Sequence, residues 1–222
     1  GNYGQGVPIQ GGILLNHPRL NQILELNSQF SRVQTGVKLI EIERKARTIG
    51  AELRFYPSTL MTATAGGFLA GGAGGIGSVT WGTLWDEGNV LAATIATVEE
   101  TPQLLTMQGG AALQGVIHNC GLTCFIVDLT LALAPAQPWA QFAAAFPTLE
   151  DALRCGQALA HDDTLLKRLV TVLEWPIPSF FRQLIRQKIA PEGQALLMLE
   201  LVSDQAALEA RLAAHGGTLT WH

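Results

Sequence analysis

Apolar and polar positions change period along this chain, and the changes divide it. Up to residue 57 the apolar runs are short. VPIQGGILLN and SRVQTGVKL read as strands around a short helical piece, PRLNQILEL, with Pro18 suited to a first helical turn. KLIEIERKARTIG places Leu39, Ile42 and Ala46 at helical spacing, and Gly50 is placed to end that helix. AELRFY returns as a strand and stops at Pro57. The next stretch, PSTLMTATAGGFLAGGAGGIGSVTWG, keeps neither period and reads as buried loop. VLAATIATV and FIVDLTLALAP are β-branched, alternating runs that predict strands.

Pro135 and Pro138, around PAQPW, mark a domain boundary, and the pattern changes beyond it. TLEDALRCGQALAHDD predicts a helix with Thr148 at the N-cap and Asp151 three residues on, where a carboxylate closes a capping box. LKRLVTVLEW reads as strand, PSFFRQLIRQKIA as helix and QALLMLELV as strand. SDQAALEARLAAHGG reads as a helix capped by Ser203 and ended by Gly216 and Gly217, and TLTWH as a last strand without a partner. Such alternation predicts an α+β lobe with helices on one face of a sheet. A strand at the final residue carries the expectation that the natural chain continues.

Composition narrows the function classes. Of 222 residues, 48% are hydrophobic and only 14% charged, so the chain can bury a sizeable core. A net charge of −4 argues against nucleic acid, which requires a basic face. Three cysteines in no paired pattern point to a reducing compartment. Residues 55–85 contain no Asp, Glu, Lys or Arg, yet seven glycines between Gly66 and Gly77 make them poor material for a membrane-spanning helix. The expected location is the cytoplasm, or the periphery of a membrane.

The glycines carry the candidate chemistry. GNYGQG at the start and the cluster at 66–77 are separated by about fifty residues of alternating elements. Glycine costs stability unless a close approach needs it, and consecutive backbone N–H groups in such turns cradle anions. Neither loop reads GxxxxGK[ST], and GNYGQG lacks the helix that a dinucleotide-binding GxGxxG requires. The residues predict a phosphate-bearing cofactor.

Three ordered motifs then resemble one family, the FAD-linked oxidases and dehydrogenases of the vanillyl-alcohol oxidase (PCMH-type FAD-binding) kind, especially its D-lactate and glycolate dehydrogenase branch. GNYGQGVPIQGGILLN looks like the second half of the family's first loop. PSTLMTATAGGFLAGGAGG followed by WGTLWDEGNVL looks like its second, and HNCGLTCFIVDLTLALAP like its closing turn and strand. The resemblance implies FAD as cofactor and places Gly1, Asn2, Tyr3, Gly4 and Gln5 near the pyrophosphate. Pro57, Ser58, Thr62, Thr64, Gly66 and Gly67 would lie along the flavin and ribityl side, with Gly71, Gly74 and Ser78 behind them. Gly121 and the main chain at Phe125 and Ile126 would close over the cofactor. Leu122, Thr123 and Cys124 depart from the family's usual Gly-Thr-x-Gly turn. The family's first βα unit would have to come from preceding sequence or another chain.

Other groupings offer less. His118, Cys120 and Cys124 lack a fourth metal ligand at any standard spacing, and small buried side chains in a turn explain them better. His161, Asp162 and Asp163 read as a solvated helix end. Arg182 or Arg186 can meet a carboxylate substrate. Alternatively their segment is an amphipathic surface helix whose Phe180, Leu184 and Ile185 face the core. No catalytic base is assignable.

The fold expected is therefore α+β: a partial PCMH-type FAD-binding domain over residues 1–135, lacking its N-terminal subdomain, then the start of a substrate (cap) domain over 136–222. The implied function is FAD-dependent oxidation of a 2-hydroxy acid or similar small alcohol by hydride transfer to flavin. The alternative is a truncated, non-catalytic module that folds without flavin and acts by binding a partner. A small-molecule substrate, no nucleic acid, no transmembrane segment and self-association through exposed sheet edges complete the expectation.

Overall fold

A computed structural model describes residues 10–11, 15–72 and 74–222. The chain forms two compact units, Gly1–Ala136 and Gln137–His222.

The first unit is built on an antiparallel sheet whose spine is its longest strand. The strands are β1 (Ile23–Leu26), β2 (Phe30–Gln34), β3 (Ala51–Leu53), β4 (Val90–Ala96), β5 (Leu104–Gln108) and β6 (Phe125–Pro135). They run in the order β1-β2-β6-β4-β5, and β3 also pairs with β6. The β-branched run read in the sequence at 125–135 thus becomes a strand with neighbours on both edges, and Leu129 within it is fully buried. Helix α1 (Leu39–Arg47) buries Leu39, Ile42 and Ala46, the three positions at helical spacing. Glu43, also buried, accepts from the Leu53 N–H at 2.8 Å and pairs with Arg47, which in turn meets Glu52. This network fastens α1 to β3. Gly50 ends the turn after α1 at φ +74.

Two expectations for this unit are overturned. Residues 23–26 are strand, not the end of a helix. Asn27 Oδ1 accepts from the N–H groups of Gln29 (2.8 Å) and Phe30 (3.0 Å), and that side-chain turn folds β1 back onto β2. Tertiary pairing outweighs a weak local helical pattern there. The stretch at 57–82 is also not all loop: it contains α2 (Ala65–Gly71) and the single turn α3 (Ser78–Trp81). Thr64 caps α2 by accepting from Gly67 N–H at 3.2 Å. Strand β5 and the short helix α4 (Gly110–Gln114) lie in a segment without a clear periodic signature.

The second unit is a four-stranded antiparallel sheet in the order β10-β7-β9-β8, where β7 is Ala140–Phe146, β8 Leu166–Leu173, β9 Ala195–Val202 and β10 Thr218–Trp221. The last strand is paired along β7, contrary to the expectation that it lacks a partner. Helices α5 (Leu149–Ala160) and α7 (Gln205–Ala213) share one core with Phe142, Phe146, Leu197 and Leu201 of the sheet. The Thr148 hydroxyl accepts from Asp151 N–H at 3.1 Å and bonds the Asp151 carboxylate at 2.5 Å, as the spacing predicts. Helix α7 is capped by Asp204, not by Ser203. The Asp204 carboxylate accepts from Ala206 and Ala207, whereas Ser203 Oγ turns to the Asp204 carbonyl.

Arg168 and Glu200 form a buried bidentate pair across β8 and β9, with both bonds at 2.8 Å. The Asp162 carboxylate accepts from Thr164 and pairs with Arg211, which holds it well below the usual carboxylate range and ties the end of α5 to α7. The segment expected as one helix at 178–190 is a 3₁₀ turn (Ile177–Phe180) followed by α6 (Arg182–Arg186). Its Leu184 packs with Ile189 and Leu196, but Phe180 and Ile185 are exposed and do not face the core. No helix among the described residues is long and apolar enough to cross a membrane.

Candidate functional site

The two glycine-bearing segments described in the first unit are locked together. The N–H groups of His118 and Cys120 donate to the carbonyls of Leu69 (2.9 Å) and Ala70 (3.0 Å), which are orphan acceptors at the C-terminus of α2. Gly72 caps that helix in the left-handed region, at φ +61. His118 (φ 58) and Cys120 (φ 51) hold conformations that non-glycine residues seldom adopt, and Gly121 follows at φ +78.

Asn119 is the pin that holds this turn. Its Oδ1 accepts from Gly121 N–H at 2.9 Å, and its Nδ2 reaches Thr123 Oγ1 (3.3 Å) and Cys124 Sγ (3.2 Å). Cys124 therefore belongs to the turn's internal clamp. The ring of Trp85 meets His118 edge-on at 5.4 Å, tying the 82–89 loop to the same turn. That loop has its own anchors. Asn89 Nδ2 donates to the carbonyls of Trp81 and Thr83, and Arg54 bonds Asn89 Oδ1 while lying 4.5 Å over the Trp81 ring. Burial pulls the Arg54 pKa down. Asp86 accepts from Thr83 N–H and Oγ1, and these bonds hold its carboxyl below the ordinary value.

Beside the locked turn lies a cavity of about 510 Å³. One wall is Thr64, Gly66, Gly67 and Ala70; another is Asn119, Gly121, Phe125 and Ile126. The remainder comes from residues 15–18 and Asn21, from Thr35, Gly36, Lys38 and Glu41, and from Cys124. Of the positions singled out in the sequence, Thr64, Gly66, Gly67, Gly121, Phe125 and Ile126 thus meet in one place. Pro57, Ser58, Thr62, Gly71, Gly74 and Ser78 do not line this cavity. Ser78 Oγ accepts from Gly75 N–H at 2.8 Å and Thr62 Oγ1 donates to the Thr59 carbonyl, so both serve turns. Gly1, Asn2, Tyr3, Gly4 and Gln5 lie outside the described residues.

The glycine cluster at 66–77 also has a different cause from the one inferred. A Cβ on Gly66 would fall 1.6 Å from Thr35 Oγ1, and on Gly75 or Gly77 2.1 Å from the Tyr56 or Arg54 carbonyl. These glycines let the chain pack on itself. The N–H groups of Ala65 and Gly66 are likewise spent on the Val37 and Thr35 carbonyls. Gly121 differs: a Cβ there would meet nothing within 4 Å, so its backbone stays open.

Sequence reasoning missed Thr35, Gly36 and Lys38. The signal was the Thr-Gly step between strand and helix, where a Cβ on Gly36 would meet the His17 carbonyl at 2.2 Å. Asn119 was missed because a buried polar clamp leaves no periodic trace.

Residues 1–102 match the family described as FAD binding domain (FAD_binding_4). Over these residues the chain is similar to FAD-binding domains of the PCMH type. A D-lactate dehydrogenase from Archaeoglobus fulgidus is 24% identical over 97% of this chain and 50% of its own length. An FAD-linked oxidoreductase from Mycobacterium tuberculosis is 32% identical over 36% of this chain and 17% of its own length. The fold is that of alkyldihydroxyacetonephosphate synthase, with a TM-score of 0.69 at 16% identity over 91% of this chain and 41% of the synthase. The chain thus spans half the length of the D-lactate dehydrogenase.

FAD, the cofactor of this family, suits the donor set of the cavity. Lys38 supplies a cation and His17, Asn16, Asn21 and Thr64 supply polar groups. Thr35 is 5% exposed and lines the cavity, and its hydroxyl forms no hydrogen bond among the described residues. A hydroxyl on the cavity wall can donate to an anionic oxygen of a ligand there.

Proposed function

We propose that this chain supplies the FAD-binding part of an oxidoreductase that oxidises a 2-hydroxy acid or a similar small alcohol. The observation that carries the reading is the meeting of Thr64, Gly66 and Gly67 with the Gly121–Ile126 turn on one cavity that also holds Lys38. Similarity to a D-lactate dehydrogenase along nearly the whole chain supports the substrate class.

In this reading Lys38 and the Thr35 hydroxyl hold the phosphate charge of the cofactor, while the open backbone at Gly121 permits close approach of its chain. Phe125 and Ile126 supply an apolar wall that excludes water. Pro57, Ser58, Thr62, Gly71, Gly74 and Ser78 shape the loop behind the cavity, and Gly1–Gln5 belong on the pyrophosphate side. The second unit serves as the start of a substrate domain. Bound FAD supplies the hydride acceptor.

The test is a visible spectrum of the purified chain after incubation with excess FAD and desalting. Retained flavin absorbance is expected, with Lys38→Gln lowering affinity about tenfold, the size of one charge-assisted bond. Anaerobic D-lactate or glycolate should then bleach the retained flavin. A protein that stays colourless overturns the reading and leaves a module that acts by binding a partner. Retained flavin that no 2-hydroxy acid bleaches overturns the substrate class alone.

A further inference from the structure

The 3₁₀ turn and α6 of the second unit present apolar side chains to solvent where the sequence predicts a core-facing helix. Phe180 is 77% exposed, Phe181 52%, Ile177 45% and Ile185 40%. Between Glu174 and Glu192 the chain carries Arg182, Arg186 and Lys188 and no carboxylate, although the protein as a whole has a net charge of −4. Arg182 and Arg186 stand one helical turn apart and, with Gln183 and Gln187, line a concavity of about 450 Å³. Neither arginine forms an ion pair or side-chain hydrogen bond among the described residues.

We propose that the Ile177–Lys188 segment docks the protein onto an anionic phospholipid surface, with Phe180, Phe181, Ile177 and Ile185 entering the acyl boundary and Arg182 and Arg186 taking the lipid phosphates. Charge selects the occupant. Two arginines without carboxylate partners, beside amide side chains, fit phosphodiester oxygens, and the flanking rings and aliphatic chains fit the apolar layer just beneath them. An acidic protein would answer the arginines too, but a site made for one would not partition onto protein-free vesicles. A second copy of this chain would set cation against cation at a symmetric contact.

Co-sedimentation of the whole chain with vesicles tests this. Binding is expected to phosphatidylglycerol mixed with phosphatidylcholine, to weaken as salt is raised, and to be absent for phosphatidylcholine alone. Arg182→Gln with Arg186→Gln should weaken partitioning about 25-fold, since each basic residue near such a surface contributes about fivefold. Phe180→Ser with Phe181→Ser should abolish it, while circular dichroism and flavin retention stay those of the wild type. Wild-type protein that remains in the supernatant with both vesicle types overturns the proposal. So does binding that survives both double substitutions. Variants that change only the oligomeric state, read by light scattering, overturn it in favour of a contact between copies.

Discussion

Gly72 and His118 are packed so closely that a Cβ on Gly72 would lie 2.3 Å from the His118 Cβ. Forty-odd residues apart in sequence, they join the C-terminus of α2 to the turn that carries Gly121, so the cavity walls are positioned by one contact. Gly72→Ala combines that overlap with a left-handed φ. It is expected to cost about 2–4 kcal/mol in urea unfolding and to reduce flavin retention. Gly71→Ala, one residue earlier with open space around it, should gain up to ~1 kcal/mol and leave flavin retention unchanged.

Asn119→Ala removes the bonds that the amide makes to Gly121, Thr123 and Cys124 and leaves the Gly121 N–H without its acceptor. The expected loss is about 1–2 kcal/mol, the net worth of the bonds that the buried amide makes. Because three residues of that turn, His118, Cys120 and Gly121, hold positive φ, amide hydrogen exchange across 118–124 should accelerate before the rest of the unit changes. Unchanged exchange would show that the turn is held by other contacts.

Arg168→Met strands the Glu200 carboxylate inside the second unit. A destabilisation of about 3–5 kcal/mol is expected in chemical denaturation. Replacing both partners, Arg168→Met with Glu200→Leu, should recover most of it, since an apolar pair leaves no charge unpaired.

Burial pushes the Cys155 thiol from its ordinary 9.0 up to about 11. The folded state then holds its proton where the unfolded chain has lost it. This contribution is complete below pH 9 and declines as pH rises towards 11. Cys155→Ala should flatten that part of the stability profile. A thiol reagent at neutral pH should label the half-buried Cys120 first and Cys155 slowly.

Strand β5 is an outer strand of its sheet, and its Leu104 is 70% exposed. No charged side chain lies between residues 101 and 117 to discourage edge pairing. Leu104→Lys is expected to reduce concentration-dependent self-association in light scattering. A wild-type chain that is monomeric at all concentrations would refute this expectation.

Much of the molecule was legible without coordinates. The 3.6-residue spacing of Leu39, Ile42 and Ala46, the capping pair Thr148 and Asp151, and the β-branched run at 125–135 are local signals, and local signals survive folding because they act between near neighbours. The family could be read for a related reason: three motifs in fixed order leave few alternatives. What remained hidden is long-range. Residues 23–26 became strand because β2 was there to pair with them. Phe180 and Ile185 stayed outside because Leu184 and Ile189 took the available core. Above all, the glycines at 66, 75 and 77 are explained by a side chain or carbonyls contributed by Thr35, Tyr56 and Arg54, and Asn119 by a turn whose unusual backbone needs a clamp. A sequence states where backbone must come close. Only tertiary packing decides whether a ligand or the chain itself fills the space.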